Sequence, residues 1–326
     1  MPEMTLVEAV NHALGRAMSE DDRVLVLGED VGRDGGVFRA TAGLLESYGE
    51  SRVRDTPLAE GAIAGICVGL AAQGLRPVGE IQFMGFVYPA IDQLVNHAAR
   101  LRTRTRGRLT CPMVLRAPFG GGIGAPEHHS ESMEAMFAHV PGLRVVVPST
   151  PARAYGLLLA AIRSPDPVVF LEPKRLYRAM KENVNDDGTA LPLDTCFLER
   201  RGTDVTLVSW GAMMRETRAA ADKLGGQGIE ADVIDVANLR PLDMETIRTS
   251  VTRTGRCVIV HEAPLTGGFG AEIAARLADE CLTDLLAPVR RVAGYDTVMP
   301  LPKSEKRYLP TAADIFAEAA EVVRWA

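Results

Sequence analysis

Short apolar runs alternate with amphipathic helical patterns along nearly the whole chain, and this alternation limits the possible folds more than any other feature. The run 24–27 is continuously apolar and ends at Gly28, as expected for a strand that is buried on both faces of a sheet. Thr5 and Glu8 form a capping-box pattern that opens a helix with one apolar face. Strands that alternate with helices predict an α/β fold with a mostly parallel sheet.

The same alternation predicts the remaining elements. In the N-terminal part, it predicts strands at 78–83, 113–116, 143–147 and 168–171, and helices at 90–102, 131–138 and 152–162. In the C-terminal part, it predicts strands at 205–209, 231–236 and 257–260, and helices at 213–224, 243–251, 271–281 and 312–324.

The pattern divides the chain into two α/β domains. Between residues 172 and 203 the periodicity is lost, and residues 185–188, Asn-Asp-Asp-Gly, have turn chemistry. We therefore predict an N-terminal domain at 1–185, a linker at 186–203 and a C-terminal domain at 204–326. A length of 326 residues is typical of two domains.

Composition and charge are typical of a globular protein, with 47% hydrophobic and 24% charged residues. The net charge of −6 argues against nucleic acid as the main partner. A local run places arginines at every second position from Arg100 to Arg108. Alternate positions cannot share one face of a helix, so this run is interpreted as a solvated helix end.

Targeting and redox signals are weak. The five cysteines have no C-x-x-C spacing, which favours neither a zinc site nor a disulfide framework. The N-terminus has no basic start and no apolar signal core, so we expect a cytoplasmic protein. The apolar run 61–75 is too short and too rich in glycine to span a membrane, so no membrane association is expected.

A single carboxylate, Glu60, stands at the start of this apolar run. Gly61, Gly65 and Gly69 recur every four residues, so one face of the predicted helix is nearly bare backbone that another helix can approach closely. Glu60 could simply complement the positive helix N-terminus, with Thr56 as cap and Pro57 at the first helical position. It could equally be a functional carboxylate, and the spacing leaves both readings open.

Two glycine clusters and a histidine pair also attract attention. The clusters at 120–124 and 267–270 lack the strand–turn–helix spacing of a dinucleotide-binding fingerprint. His128 and His129 follow the first cluster in a predicted loop, where catalytic side chains are often presented. A helix cap, a solvated pair or a metal site are the alternatives, and adjacent histidines alone are a poor metal signal.

Several motifs in a fixed order resemble one enzyme family. They are G-G-V-F at 35–38, D-T-P-L-A-E-G at 55–61, A-I-D-Q at 90–93, H-S-E-S at 129–132, F-L-E-P-K-R-L-Y-R at 170–178 and H-E-A-P-L-T-G-G-F-G at 261–270. Together they span nearly the whole chain. The sequence resembles the pyrimidine-binding half of thiamine diphosphate enzymes, specifically the beta subunits of 2-oxo acid dehydrogenase complexes. The C-terminal part resembles the transketolase C-terminal domain.

The resemblance implies roles for five residues. Glu60 would hydrogen-bond a ring nitrogen of the cofactor's aminopyrimidine, and His129 would lie at the substrate end of the cofactor, so these two are the catalytic candidates. Glu29, Gln82 and Phe86, together with Glu60, would form the cofactor-binding set. Phe86 stands where the family often has tyrosine, which removes a hydroxyl contact. No metal ligand is implied in this chain.

A missing motif implies a partner. Family members that hold the whole cofactor carry a G-D-G motif for the magnesium and diphosphate, and this sequence contains none. The resemblance therefore implies an alpha subunit that supplies the Mg²⁺ and diphosphate site of a shared thiamine diphosphate, in an α2β2 heterotetramer. It also implies a dihydrolipoyl acyltransferase core as a second partner, and a K⁺ ion near 116–119 and 164–167, where Ser164 replaces an acidic residue.

The activity implied is oxidative decarboxylation of a small 2-oxo acid and reductive acylation of lipoyl groups. The substrate stays open between pyruvate and a branched-chain 2-oxo acid. Two alternatives are the C-terminal subunit of a split transketolase, which also lacks the diphosphate motif, and a non-catalytic α/β interaction subunit.

Overall fold

A computed structural model describes residues 1–325 of the chain. It divides into two compact units, the first comprising residues 1–119 and 136–193, and the second comprising residues 120–135 and 194–326. The loop 120–135 therefore groups with the C-terminal part of the chain. Compactness alone does not establish independent folding, so the domain ranges 1–185 and 204–326 stay a prediction.

The first unit contains a parallel sheet, as its buried apolar runs predict. The strands of this unit are β1 (Glu3–Thr5), β2 (Val24–Gly28), β3 (Val53–Asp55), β4 (Arg76–Glu80), β5 (Val114–Phe119), β6 (Arg144–Val146), β7 (Val168–Pro173) and β8 (Lys181–Asn183). The order across the sheet is β6-β7-β5-β4-β2-β3, and every pairing in it is parallel. β1 and β8 form a separate antiparallel pair.

The helices follow the predicted alternation. They are α1 (Leu6–Glu20), α2 (Leu44–Tyr48), α3 (Glu60–Ala72), α4 (Leu101–Arg104), α5 (Glu134–Ala138) and α6 (Pro151–Arg163). The predicted capping box is confirmed, because the Thr5 side chain accepts from the Glu8 amide while the Glu8 carboxylate accepts from the Thr5 amide.

The carboxyl ends of three neighbouring strands lie level at one edge of this sheet. Gly28, the last residue of β2, is in register with Asp55 of β3 and with Glu80 of β4. The segments that leave this edge carry Glu29 after β2 and Gln82 after β4. In open α/β sheets, ligands bind at this edge.

The start of α3 differs from the prediction. The helix begins at Glu60 after Ala59, which makes no side-chain cap, so Thr56 is not the cap and Pro57 is not the first helical residue. The predicted close approach to the glycine face is confirmed. A β-carbon on Gly61 would lie 3.1 Å from the Pro89 carbonyl oxygen, and one on Gly65 would lie 3.4 Å from the Gln93 side chain.

The segment that packs against this face is not the continuous α-helix predicted at 90–102. It consists of a 3-10 turn at Tyr88–Ala90, a π-helical turn at Gln93–His97, a second 3-10 turn at Ala98–Arg100 and then α4. A π-helical turn changes the direction of side chains within a helical run. The exposed arginines of the run 100–108 end this segment, as predicted.

The second unit is also α/β. Its strands are β9 (Phe197–Arg200), β10 (Val205–Ser209), β11 (Ala231–Asp235), β12 (Asn238–Arg240), β13 (Cys257–Pro264) and β14 (Arg290–Gly294). Its helices are α7 (Met213–Gly225), α8 (Met244–Thr254), α9 (Gly270–Glu280), α10 (Pro302–Tyr308) and α11 (Ala312–Val323). The sheet order is β14-β13-β10-β11-β9, with only β9 antiparallel.

Two features of this unit extend the prediction. β9 lies within the range 186–203 that was predicted as linker, and β13 continues four residues past the predicted end at 260, so His261 and Glu262 are buried strand residues. The core of the unit is formed by sheet residues such as Leu207 and Val258 and by Met214 and Ile315 of the helices. No helix among residues 1–325 is long and apolar enough to cross a membrane.

Candidate functional site

Glu60 is the first residue of α3 and its side chain is half-buried. The amides of Ala62 and Ile63 donate to the carbonyl oxygen of Ala59 at 2.9 and 3.0 Å, so the first helical turn is closed by the backbone alone. A carboxylate at this position lies at the positive end of the helix dipole. That location stabilises its negative charge and leaves its oxygens available to a ligand.

Glu29 is only 6% exposed, and it lies close enough to Glu60 for the charges of the two side chains to interact. Burial raises its pKa, and the charges of Glu60 and Asp30 raise it further, although the Ala59 amide opposes the shift. Among residues 1–325, no group hydrogen-bonds the buried Oε1 atom of Glu29. A buried carboxylate oxygen without a donor is costly, so this atom favours a ligand that carries one.

Gln82 is tied to Asp30, the residue that follows Glu29. Its Nε2 atom donates to Oδ2 of Asp30 at 2.8 Å. Asp30 adopts a left-handed conformation with φ 56°, which turns the chain sharply after Glu29. The structure therefore brings Glu29 close to Glu60 and links Gln82 to the residue next to Glu29, at the carboxyl edge of the sheet.

Phe86 ends a 3-10 turn after β4 and belongs to an aromatic cluster. Its ring centroid lies 5.9 Å from that of Phe83, which is 5.4 Å from that of Phe38. Phe38 comes from the G-G-V-F motif, and it lies 5.1 Å from Tyr177 of the F-L-E-P-K-R-L-Y-R motif. Phe86 is half-buried.

A buried ion network, which the sequence reading missed, supports this edge. Arg116 of β5 donates from Nε and Nη2 to the two carboxylate oxygens of Glu172 at 2.6 and 2.9 Å, and from Nη1 to Glu80 at 2.7 Å. Tyr177 donates its hydroxyl to Glu172 at 2.6 Å. Burial raises the pKa of Glu80 despite the opposing charge of Arg116. The sequence signal for this network was the presence of charged residues inside otherwise apolar strand runs.

An apolar groove beside α3 is a different feature. It has a volume of about 690 Å³ and is lined by residues of β2, β3 and α3, including Leu25, Ile63 and Ile66. None of the predicted site residues lines it. Among residues 1–325, no group of three or more His, Cys, Asp or Glu side chains is arranged to hold a metal ion.

His128 and His129 belong to the second unit and lie in a 3-10 turn, Glu127–His129. The His129 amide donates to the Pro126 carbonyl oxygen at 2.9 Å. His128 is exposed and His129 is half-buried, so the two adjacent side chains have different surroundings. This difference agrees with the choice of His129 over His128, although it does not test the role of His129.

In the H-E-A-P-L-T-G-G-F-G motif, the histidine and the glycines that pack against it have a structural role. His261 is fully buried, stacks on Trp210 with ring centroids 5.3 Å apart, and contacts the Ala263 carbonyl oxygen through Nδ1 at 3.1 Å. Burial lowers its pKa to about 4. A β-carbon on Gly268 or Gly270 would lie 2.6 or 2.7 Å from the imidazole ring, so only glycine fits at both positions.

Comparison with known families matches both parts of the chain. Residues 2–180 match the family described as "Transketolase, pyrimidine binding domain". Residues 195–315 match the family described as "Transketolase, C-terminal domain".

Several curated proteins are similar to the chain over nearly its full length. The "Pyruvate dehydrogenase E1 component subunit beta" of Acholeplasma laidlawii is 48% identical and covers 97% of both chains. The protein of the same name from Bacillus subtilis (strain 168) is 46% identical over 100% of both chains. The "3-methyl-2-oxobutanoate dehydrogenase subunit beta" of Mycobacterium tuberculosis (strain ATCC 25618 / H37Rv) is 51% identical over 94% of this chain and 88% of that protein.

Among solved structures, "Split gene transketolase, inactive beta4 tetramer" matches with a TM-score of 0.80 and covers 99% of both chains. Its sequence is 24% identical, so this likeness shows the shared fold alone.

Proposed function

The chain belongs to the family of 2-oxo acid dehydrogenase E1 beta subunits, with transketolase-like pyrimidine-binding and C-terminal parts, and from this premise we propose that it binds thiamine diphosphate jointly with an alpha subunit. Together the two subunits decarboxylate a small 2-oxo acid and transfer the acyl group to a lipoyl group on an acyltransferase core. The observation that carries the proposal is the pairing of Glu29 and Glu60 at one strand edge, with a buried oxygen of Glu29 that lacks a donor.

The residues at this edge fit the pyrimidine half of the cofactor. An aminopyrimidine offers an amino group that can donate and ring nitrogens that can exchange a proton. The unpartnered Oε1 atom of Glu29 supplies an acceptor, and the Glu60 carboxylate at the helix start supplies a second. Phe86 offers an aromatic face, and Gln82 fixes Asp30 beside the carboxylates. These contacts are the ones by which the chain would hold the ring.

The cofactor, when bound, supplies the carbon nucleophile that attacks the 2-oxo acid. The chain's own contribution is proton placement. Glu60 would accept a hydrogen bond from a protonated ring nitrogen, and its negative charge would stabilise that proton there. Burial and the charge of Glu60 raise the pKa of Glu29, so a ligand group that donates to its Oε1 atom would offset part of the repulsion between the two carboxylates.

His129 would act at the substrate end. Transfer of the acyl group opens the lipoyl dithiolane, and the sulfur that leaves needs a proton. An imidazole can hold and release a proton near neutral pH, which suits this step. The exposed His128 has no such role in the proposal.

The alpha subunit would provide what this chain lacks. A diphosphate needs magnesium and oriented donors, and the sequence has no G-D-G motif to supply them. We include the α2β2 assembly, the alpha-bound Mg²⁺ and a cytoplasmic location in the proposal. Ser164 Oγ donates to the Asp166 carbonyl oxygen and accepts from the Asp166 amide, and a K⁺ ion at this turn, where the family has an acidic residue, belongs to the proposal as well.

The experiment that tests the proposal is reconstitution with the alpha subunit. The purified pair is supplied with thiamine diphosphate, Mg²⁺ and an acyltransferase core, and CO₂ release from pyruvate is compared with release from 3-methyl-2-oxobutanoate. We expect turnover of at least one of them and loss of it in the Glu60→Gln pair. Ketol transfer between sugars without CO₂ release from either acid would contradict the proposal and favour a split transketolase.

A further inference from the structure

The loop that carries His129 is held at both ends by one carboxylate oxygen. Oε1 of Glu262 accepts from the Gly121 amide at 2.7 Å and from the Ser132 hydroxyl at 3.0 Å. The Gly120 amide also donates to the Glu131 carbonyl oxygen at 2.9 Å, which closes the loop. Glu262 is 3% exposed, so these bonds form away from water, where hydrogen bonds to a charged acceptor are strong.

A second carboxylate holds the glycine turn at the start of this loop. Oε1 of Glu305 accepts from the Gly122 amide at 2.7 Å, and Oε2 accepts from the Gly124 amide at 2.9 Å. Glu305 belongs to α10 and is 5% exposed. The two carboxylates together receive three backbone amides from a stretch of four residues.

The glycines make this arrangement possible. Gly120, Gly122 and Gly124 all have positive φ, between 71° and 91°, and this left-handed backbone lets successive amides converge on an anion. A β-carbon on Gly120 would lie 2.2 Å from the Glu262 carboxylate. The glycine cluster at 120–124 therefore binds the protein's own carboxylates.

We propose that Glu262 and Glu305 are positioning residues for His129, which act through the backbone of the loop 120–132. This inference rests on the proposed function for its catalytic part, because His129 matters only if the lipoyl step occurs. Its structural part, that the two carboxylates fix the loop, is independent of any activity.

The two carboxylates predict different responses to the same substitution. Glu305 uses both oxygens, so Glu305→Gln leaves one amide facing an NH₂ group. Glu262 uses only Oε1, and its Oε2 atom has no partner among residues 1–325, so Glu262→Gln can keep both contacts. Glu262→Leu removes both contacts, and the leucine side chain is similar in size to that of glutamate. Glu272→Gln, on an exposed position of α9, is the matched control.

Hydrogen exchange of the full chain and two activity assays of the enzyme assembled with its alpha subunit test the inference. In Glu305→Gln and Glu262→Leu we expect amide exchange in 120–132 to rise roughly tenfold to hundredfold, with other segments unchanged. Lipoyl acylation should fall more than decarboxylation followed with an artificial electron acceptor, as in His129→Ala. Glu262→Gln should have a smaller effect than Glu262→Leu, because it keeps the two contacts and loses only the charge, and Glu272→Gln should behave like the wild type.

Unchanged exchange of 120–132 in Glu305→Gln would overturn the inference, even if Glu262→Leu failed to fold. Faster exchange without a selective loss of lipoyl acylation would overturn the positioning role. Failure of the proposed function looks different: the wild-type pair would then release no CO₂ from a 2-oxo acid, while the exchange data would still decide whether the carboxylates hold the loop.

Discussion

At the scale of single residues, Glu60 decides the proposed chemistry. Glu60→Gln keeps the shape of the side chain and removes the charge that would stabilise a protonated ring nitrogen. We expect the assembled enzyme to lose roughly a hundredfold or more of its activity, the size of a lost proton-transfer contribution. Steady-state turnover of the assembled enzyme at saturating cofactor measures this, and unfolding of the isolated variant should match the wild type.

The control for this prediction is Glu46→Gln. Glu46 is an exposed carboxylate in the first turn of α2, so it tests the effect of a helix-start charge by itself. Near-normal activity of both variants would mean that Glu60 is only a helix-start carboxylate.

Glu134 is a second residue with a measurable signature, here in stability. It is fully buried, accepts from Trp210 Nε1 at 3.2 Å and has an Oε2 atom without a partner among residues 1–325. Burial raises its pKa to about 7, and Glu262 adds to the shift. The folded state therefore binds a proton that the unfolded state releases, so stability falls as the pH rises from about 4.5 to 7.

Glu134→Gln removes this pH-dependent contribution. Between pH 5 and 8, the free energy of unfolding of the wild type should fall relative to that of the variant by roughly 2 to 3 kcal/mol. Urea denaturation of the isolated chain at several pH values measures it. Glu272→Gln, which changes an exposed carboxylate, should run parallel to the wild type. Parallel curves for Glu134→Gln as well would show that Glu134 is not protonated in the folded chain.

The sequence predicted some of these residues and not others for a physical reason. Glu60, Gln82 and Glu29 were assigned to the site by the resemblance to the family, and their positions next to predicted strand and helix ends agreed with that assignment. Arg116 and Glu262 lie inside strands, and their partners are distant in sequence, so only the three-dimensional pairing shows why a charge is tolerated there. Glu305 is more distant still, since it follows the loop it holds by more than one hundred and eighty positions.

At the scale of elements, the central strands and the long helices were predicted, whereas edge strands such as β3, β9 and β14 and the irregular helices were not. The apolar run before Gly28 and the capping box at Thr5 carry local signals, and both elements form as expected. The segment 88–104 has a helical pattern in sequence, yet it is divided into 3-10, π and α turns. The spacing of Gly61, Gly65 and Gly69 predicted that a segment would approach this face of α3 closely, but no local pattern shows that the approaching segment is irregular.

The glycine face of α3 leads to a prediction about this element. A β-carbon on Gly69 would meet nothing within 4 Å, whereas one on Gly61 would lie 3.1 Å from the Pro89 carbonyl oxygen. Gly69→Ala should therefore stabilise the isolated chain by roughly 0.5 to 1 kcal/mol through helix propensity. Gly61→Ala should gain none of this, because the Pro89 segment must move. The urea denaturation midpoints of the two variants measure these gains in stability. Equal gains would mean that the segment at Pro89 can move away from the new β-carbon at no cost.

At the scale of the whole molecule, the chain carries two α/β units of which the first holds the predicted pyrimidine contacts. The family matches at 2–180 and 195–315 cover both. Fold and family could be predicted from the sequence because the motifs are spread over its whole length. The choice between pyruvate and a branched-chain acid could not, since relatives with either name are about equally similar.

The division of labour between subunits gives the last prediction. The isolated chain should fold and yet bind thiamine diphosphate at least roughly a hundredfold more weakly than the pair, a difference of about 2.7 kcal/mol. Glu29, Glu60 and Phe86 can hold a pyrimidine ring, but a diphosphate without magnesium and oriented donors keeps its water. Titration calorimetry with Mg²⁺ present measures the binding, and circular dichroism shows that the chain is folded. Tight, magnesium-dependent binding to the chain alone would contradict the two-subunit site.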